Sequence, residues 1–348
     1  MTYRLQILLP TFNASRWFER ALASVAGQPD SQVLVLDDGS EASEAAAVEE
    51  ICRRYPNARF IPGPHRGLSR TLNEGLSIAT APYVARMDAD DISQPARLAA
   101  QIAFLDAHPD VGVVGAQLAY IDEEERPLAS PKMHPLRHEE IRAQLLAGHC
   151  VVMHPTVMMR RECVLAAGGY RPALDSAEDI DLWLRLAGRT RLANLPERLL
   201  LYRLHDGQVS RTKTWQQRLA QDLALLSARR IRQGRPDPVD DLEALPDLRS
   251  GDLTGDAEVD TLIEAYRFAA AAGVEQGKWG SADAVLTAVR DRSLHCGAKP
   301  ASKMVVLVLR DAIANGRMDR VMKAILTGLT YRPLYFARFS IRRWRGLD

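Results

Sequence analysis

A regular alternation of short apolar segments with helix-patterned segments in residues 4–90 constrains the fold more than any other feature of the chain. Four segments have the length and composition of strands, the first of them stopped by Pro10: RLQILLP, QVLVLDDGS, ARFIPG and PYVARMD. The segments between them show helical spacing, as in NASRWFERALASVAGQ, where Asn13 or Ser15 could cap the N-terminus. Strands that alternate with helices predict an α/β fold with a mixed, mostly parallel sheet flanked by helices.

Polar clusters follow three of these predicted strands. PTFN follows the first strand, DDGS the second and DADD the fourth. Ligands of open parallel sheets bind beyond the carboxyl ends of the strands. The sequence therefore predicts a binding site at this edge of the sheet.

The DADD cluster supplies carboxylates. Asp88 and Asp90 are two positions apart, so in an extended turn both side chains can point to one site. Two carboxylates, with water and phosphate oxygens, suit a hard divalent ion such as Mg²⁺ or Mn²⁺, and a metal held in this way could bind a diphosphate. The alternative is a solvated acidic turn in which Asp91 caps the next helix.

The first two clusters favour a nucleotide. Phe12 could offer its ring to a nucleobase, and Asp38 could accept a hydrogen bond from a base N–H or a ribose hydroxyl. No G-x-G-x-x-G motif follows the first strand, so an NAD-type site is not predicted. The alternatives are core packing for Phe12 and a helix cap for Asp38.

Composition and charge narrow the remaining choices. Apolar residues make up 47% and charged residues 26% of 348 residues, an ordinary balance for a soluble globular protein. The net charge of +1 gives no reason to expect a nucleic-acid partner. The four cysteines form no CxxC pair, which favours a reduced, cytoplasmic location. No apolar stretch approaches the roughly 18 residues that span a bilayer, and the N-terminus is predicted to be a strand rather than a signal peptide.

Three regions are predicted along the chain. An α/β region covers residues 1–215, a helix with an acidic Pro/Gly-rich linker covers 216–260, and a helical region covers 261–348. The last region contains a helical hairpin and ends in a basic, aromatic tail, YRPLYFARFSIRRWR. That tail could lie on an anionic membrane surface, pack on the rest of the protein or form a dimer contact.

Several motifs together resemble the inverting family 2 glycosyltransferases of the GT-A fold. The resemblance covers about residues 4–210 and rests on the following segments: ILLPTFNASRWFERALASV, LVLDDGS, HRGLSRTLNEGLSIATAPYVARMDADDISQPARLAAQIAFLDAHPDVGVVG, HPTVMMRR and AEDIDLWLRLA. It implies a nucleotide-binding half, 1–110, and an acceptor half, 111–215. It implies a nucleoside-diphosphate sugar donor, a divalent metal and transfer with inversion.

The resemblance also implies roles for individual residues. Pro10, Thr11 and Phe12 match the turn that lines the base, Asp38 the acid that binds the base, and Arg66 a basic residue near the nucleotide. Asp90 matches the metal ligand of the D-x-D motif, and Asp88 assists it through the metal, sugar, ribose or water. Asp179 matches the catalytic base.

Inverting transfer needs one base to take the proton of the acceptor hydroxyl, and this agrees with a base on a different element from the one that binds the metal. A metal-bound diphosphate is a good leaving group, so no protein acid is needed. Glu178 and Asp179 are adjacent at a predicted helix start, and at most one of them should face the site; helix capping is the alternative for both. His205 could be a third metal ligand or a diphosphate contact, and His154 could lie on the acceptor side with Glu178; a buried structural role is the alternative for either histidine.

The predicted function is therefore metal-dependent sugar transfer to a glycan or glycolipid acceptor, in bacterial cell-surface polysaccharide assembly. The predicted location is the cytoplasm, with a contact to the inner face of the cytoplasmic membrane if the tail binds lipid. Two alternatives remain. A sugar-nucleotide nucleotidyltransferase would need a glycine-rich basic loop after the first strand, which PTFNAS lacks. A non-catalytic nucleotide-sugar-binding module could keep the fold without turnover.

Overall fold

The computed structural model describes residues 3–205, 215–247, 253–260, 262–263 and 266. Its contacts divide the chain into two compact units, Met1–Thr212 and Lys213–Asp348. The basic aromatic tail, and the predicted helical hairpin apart from its first few positions, lie outside the described residues.

The first unit is built on one eight-stranded sheet. Its order is β3-β2-β1-β4-β7-β6-β8-β5. The strands are β1 (Leu5–Thr11), β2 (Ser31–Asp37), β3 (Ala58–Pro62), β4 (Tyr83–Arg86), β5 (Ile92–Ser93), β6 (Val111–Ile121), β7 (Met158–Arg160) and β8 (Arg191–Arg203). Pairs β1–β2, β1–β4, β2–β3 and β6–β8 are parallel, whereas β7 and β5 pair antiparallel with their neighbours. The prediction of an α/β fold with a mixed, mostly parallel sheet is confirmed.

Helices connect the strands and cover the sheet. In the first unit they are α1 (Ser15–Ala26), α2 (Ala42–Arg53), α3 (Leu68–Ile78), α4 (Arg97–Ala107), α5 (His138–Leu146), α6 (Arg161–Ala166) and α7 (Glu178–Leu186), with single 3₁₀ turns at His154–Thr156 and Pro172–Leu174. Helix α1 shows why they form, since Phe18, Leu22 and Val25 recur at helical spacing and are buried against the sheet. Each such side chain contributes about 1.5–3 kcal/mol by leaving water.

Two local expectations differ from the structure. Strand β1 runs through Pro10 to Thr11, because β4 pairs with β1 only as far as Leu8 and the missing N–H of proline costs no ladder bond there. Neither Asn13 nor Ser15 caps α1; the Ser15 N–H donates to Glu44 of α2 instead, at 3.1 Å.

The second unit begins with α8 (Trp215–Arg232). The segment after α8 returns to it through ion pairs, because Arg230 bridges Asp256 and Glu258. The Tyr266 hydroxyl donates to Asp222 at 2.8 Å. Among the described residues, no helix is both long and apolar enough to cross a membrane.

Candidate active site

The carboxyl ends of β1, β2 and β4 gather the predicted polar clusters at one edge of the sheet. Parallel pairing sets Thr11 at the end of β1 beside Asp37 at the end of β2, and the Thr11 hydroxyl donates to Asp37 at 3.2 Å. Asp88 and Asp90 follow β4, the other neighbour of β1. The predicted edge therefore does collect the charged side chains.

Three carboxylates form a cluster after β4. One oxygen from each of Asp88, Asp90 and Asp91 can be chosen so that all three lie within 4.8 Å of one another. Asp91 is only 1% exposed, and its Oδ2 has no hydrogen-bond partner in the described part of the chain. Asp91 caps no helix, because β5 follows it directly and α4 begins at Arg97.

The electrostatics of this cluster favour a cation. Burial raises the pKa of Asp91 well above its usual value, and the charges of Asp88 and Asp90 raise it further. Burial also raises the pKa of Asp88, although the buried Arg86 guanidinium beside it acts in the opposite direction. A buried carboxylate oxygen without a donor, beside two further carboxylates, fits a hard divalent ion. The oxygens of Asp90 and Asp91 are the available ligands, since both guanidinium Nη atoms of Arg86 contact the carboxylate of Asp88.

The end of β8 is attached to the same cluster. The Arg203 N–H donates to Asp91 Oδ1 at 2.9 Å, and His205 Nε2 lies 2.9 Å from Asp90 Oδ2. The Trp17 ring contacts the His205 ring, with centroids 4.6 Å apart. The structure thus places His205, a candidate third metal ligand, at the carboxylate cluster.

The other end of the site surrounds Asp38. Its carboxylate is almost fully buried and accepts hydrogen bonds from the backbone N–H groups of Arg66 and Gly67, at 2.9 and 3.1 Å, and from the Thr71 hydroxyl at 2.7 Å. His65 Nδ1 lies 2.9 Å from Asp38 Oδ2. Asp38 therefore holds the loop before α3 rather than capping a helix.

Phe12 lies over this loop and is not a core residue. It is 48% exposed, and its ring stacks on that of His65 with centroids 4.4 Å apart. The side chain of Arg66 pairs with Glu74 of α3. Of the residues assigned to nucleotide binding, Phe12 and Asp38 are brought together through His65, whereas the guanidinium of Arg66 is engaged by Glu74 of α3.

Glu178 and Asp179 begin α7. Asp179 Oδ1 accepts from the Ile180 N–H at 2.6 Å, and its Oδ2 accepts from the Cys150 thiol at 3.3 Å. Burial raises the pKa of Glu178 to about 8, and the neighbouring Asp179 charge adds to the effect. Burial raises the pKa of Asp179 too, but the Ile180 N–H and the Cys150 thiol oppose this. Both carboxyl groups thus have raised pKa values, and Asp179 is the one whose ionised form receives hydrogen bonds from the Ile180 N–H and the Cys150 thiol.

Three residues around this pair were not found from the sequence. Cys150 touches Asp179, and burial raises the pKa of its thiol well above its usual value, so the thiol keeps the proton that it donates. Tyr170 holds His154, with 2.9 Å between the hydroxyl and Nε2. The charge of the buried Arg86 lowers the pKa of Asp179 as well as that of Asp88, and so acts on both acidic groups. A cysteine, a tyrosine and a strand arginine carry no motif that would have identified them.

His154 itself is buried in the 3₁₀ turn after the α5 loop. Burial lowers its pKa well below the usual value, and the Arg86 charge lowers it further, so its ring is neutral. Its Nδ1 lies 3.7 Å from Glu178 Oε1. The buried ring of His154 therefore lies next to the carboxyl group of Glu178.

Comparison with known proteins gives consistent matches. Residues 6–166 match the model of the family described as glycosyl transferase family 2. The amylovoran biosynthesis glycosyltransferase AmsE of Erwinia amylovora is 33% identical over 187 residues, which cover 53% of this chain and 69% of AmsE.

Two solved structures share the fold. TarS 1-349 of S. aureus, in complex with UDP-GlcNAc, gives a TM-score of 0.56 at 15% identity, covering 95% of this chain and 92% of that chain. The mannosyltransferase PcManGT from Pyrobaculum calidifontis, in complex with GDP-Man and Mn²⁺, gives a TM-score of 0.51 at 20% identity, covering 94% and 88%. At these sequence identities the likeness shows a shared fold only.

Proposed function

The chain belongs to glycosyltransferase family 2, and we propose that it moves a sugar from a nucleoside-diphosphate donor to an acceptor hydroxyl with inversion at the anomeric carbon. The observation that carries the proposal is the pairing of two acidic groups on separate elements. One is the Asp88, Asp90 and Asp91 cluster after β4, and the other is Asp179 at the start of α7. Inverting transfer needs one group to hold the departing diphosphate and another to take the acceptor proton.

The carboxylate cluster is proposed to hold Mg²⁺ or Mn²⁺. Asp90 and Asp91 would supply oxygens and His205 a nitrogen, with Asp88 held by Arg86 to receive a sugar or ribose hydroxyl or a water. When bound, the metal would offset charge on the diphosphate leaving group. The presence of Mn²⁺ and GDP-Man in the PcManGT structure, and of UDP-GlcNAc in the TarS structure, supports a nucleotide-sugar donor and a divalent ion.

Pro10, Thr11 and Phe12 are proposed to line the base of the donor, together with the loop held by Asp38. The Phe12 ring is exposed at the same edge as the carboxylates, which supports this assignment. Arg66 would approach the nucleotide after its pairing with Glu74 is broken.

Asp179 is proposed to accept the proton of the acceptor hydroxyl. The Ile180 N–H and the Cys150 thiol favour its ionised form, whereas burial raises the pKa of Glu178 beside it to about 8, so the pair would present one base rather than two mutually repelling charges. The pKa of Asp179 is raised by burial, which brings its basicity closer to the operating pH, as general base catalysis requires. His154, behind Glu178, would support the acceptor side without taking a proton.

The acceptor is proposed to be a glycan or glycolipid of a cell-surface polysaccharide. The assignment of AmsE to amylovoran biosynthesis supports this setting. The reaction would then take place in the cytoplasm or at the inner face of the cytoplasmic membrane, where the C-terminal tail could contact lipid.

The proposal can be tested by thermal denaturation with UDP-, GDP- and dTDP-sugars, with and without Mn²⁺. A donor at 100 times its Kd should add about 2.7 kcal/mol to the free energy of unfolding. The stabilisation should need the metal and should vanish in Asp90→Ala, whereas the exposed Asp110→Asn should keep it. Asp179→Asn should bind the donor as the wild type does, but lose about 10²–10⁴-fold in kcat. Absence of stabilisation by every nucleotide sugar, or full activity of Asp179→Asn, would refute the proposal.

A further inference from the structure

The His65 ring lies where the donor base is proposed to bind. It stacks on Phe12, with centroids 4.4 Å apart and an angle of 22° between the ring planes. Its Nδ1 lies 2.9 Å from Asp38 Oδ2. A stacking surface and an acceptor for a ring N–H are the two contacts that the proposed function assigns to the nucleobase at this end of the site.

The acceptor capacity of Asp38 is already used. Oδ1 accepts from the Arg66 N–H and the Thr71 hydroxyl, and Oδ2 accepts from the Gly67 N–H. The remaining position on Oδ2 is covered by the His65 ring, whose Nδ1 lies 2.9 Å from Oδ2 and hydrogen-bonds to the Asp38 carbonyl oxygen at 3.0 Å. An ionised carboxylate has about four acceptor positions, so no further donor can be accommodated. A base N–H can therefore reach Asp38 only if one of these four groups leaves.

The tautomer of His65 follows from its neighbours. Nδ1 lies 3.0 Å from the Asp38 carbonyl oxygen as well as 2.9 Å from Oδ2, and both atoms are acceptors. Nδ1 must therefore carry the proton. The imidazole is thus a flat aromatic ring that donates one N–H to Asp38, as a nucleobase with a ring N–H would.

Among these four groups, the His65 side chain is the one that can move. The Arg66 and Gly67 donors are backbone groups, and Thr71 is buried in α3. The His65 backbone is itself confined, because a Cβ on Gly39 would lie 2.3 Å from the His65 nitrogen. By contrast, the His65 side chain is 61% exposed, so rotation of the ring into solvent meets little resistance.

We propose that His65 is an internal occupant of the nucleobase position, which the nucleotide displaces when it binds. The inference rests on the proposed function, since it concerns the base end of the donor site. The ring then competes with the nucleotide. The apparent affinity for the nucleotide is the intrinsic affinity multiplied by the fraction of molecules in which the position is free. Removing the ring should lower the Kd of a nucleoside diphosphate about five-fold, which corresponds to about 1 kcal/mol.

Titration calorimetry of the full chain with UDP and GDP, in the presence of Mn²⁺, tests this. His65→Ala should bind the preferred nucleotide about five-fold more tightly than the wild type, and Phe12→Ala should bind it more weakly. His108→Ala is a matched control, because His108 also stacks on a phenylalanine, Phe104, with centroids 4.2 Å apart, in another part of the fold. The control should leave the Kd unchanged.

Weaker binding by His65→Ala would show that the ring is part of the bound platform, and an unchanged Kd would show that it does not compete. Either result overturns the inference while leaving the proposed function in place. Failure of both nucleotides to bind the wild type and His65→Ala alike would refute the proposed function, and with it this inference.

Discussion

Glu178→Gln should stabilise the protein increasingly as the pH rises. Glu178 is nearly buried at the start of α7, and burial next to Asp179 raises its pKa from 4.5 to about 8. A carboxyl with a raised pKa binds more protons in the folded state than in the unfolded state between these two values. The free energy of unfolding of the wild type therefore falls as the pH rises from about 4.5 to about 8, and glutamine at this position removes that loss.

The size of the effect follows from the pKa shift of Glu178. One pKa unit corresponds to 1.36 kcal/mol, so the full loss above pH 8 is on the order of 5 kcal/mol. Between pH 5 and pH 7 the advantage of the variant should grow by on the order of 2 kcal/mol. For a unit of this size that growth is a change of about 4–8 °C in the difference of Tm.

Thermal denaturation of Glu178→Gln and the wild type from pH 5 to pH 8 measures this difference. Glu139→Gln is the control, since Glu139 is also in the first turn of a helix, α5, but its side chain is 72% exposed. Its difference in Tm from the wild type should stay constant with pH. A difference for Glu178→Gln that is equally constant, or that shrinks as the pH rises, would refute the electrostatic description of the α7 start.

Three further outcomes are expected. Cys150→Ala removes a donor that lowers the pKa of Asp179, so the acidic limb of kcat against pH should move to higher pH; an unmoved limb would contradict the thiol contact. Gly67→Ala should cost about 1–3 kcal/mol in urea denaturation, because Gly67 has φ +90° and a Cβ would lie 2.5 Å from a carboxylate oxygen; a neutral effect would contradict the loop geometry. Asp88→Asn should cost about 3–5 kcal/mol in the same assay, since it leaves the buried Arg86 without its carboxylate; a loss below 1 kcal/mol would argue against this ion pair.

The sequence predicted the parallel half of the sheet because the information there is local. Each strand from β1 to β4 is a short apolar run, and β1, β2 and β3 are each followed by a helix long enough to return the chain to the same edge. The polar clusters after these strands must then meet at the carboxyl ends. The α/β fold and the position of the site therefore follow from segments of about 30 residues each.

The remaining part of the sheet depends on contacts that no local pattern encodes. Strand β7 has only three residues and enters antiparallel between β4 and β6. Strand β8 continues through a proline, with shifts in its register against β6.

The site residues also fall into two groups, those that a local pattern identifies and those that depend on contacts between distant segments. Asp88 and Asp90 could be identified from their spacing, whereas for Asp91 the sequence offered only the alternative of a helix cap, because its partner, the Arg203 N–H, is 112 residues away. His65 received no role, since a lone histidine next to proline has no distinguishing neighbours in the sequence. Its stacking on Phe12 arises only when the segments that follow β1 and β3 meet at the carboxyl edge of the sheet.

The attachment of β8 to the acidic cluster has a consequence for how the protein is made. Asp90 and His205 are separated by 115 positions. The contacts of Arg203 and His205 with the cluster come from the end of β8 and the residues directly after it. Closing a loop of this length costs entropy before any contact repays it. We therefore expect the carboxylates to stay apart and hydrated while the chain emerges, and to be forced together only when β8 docks. The acidic cluster would then be completed only when β8 joins the strands that are already in place.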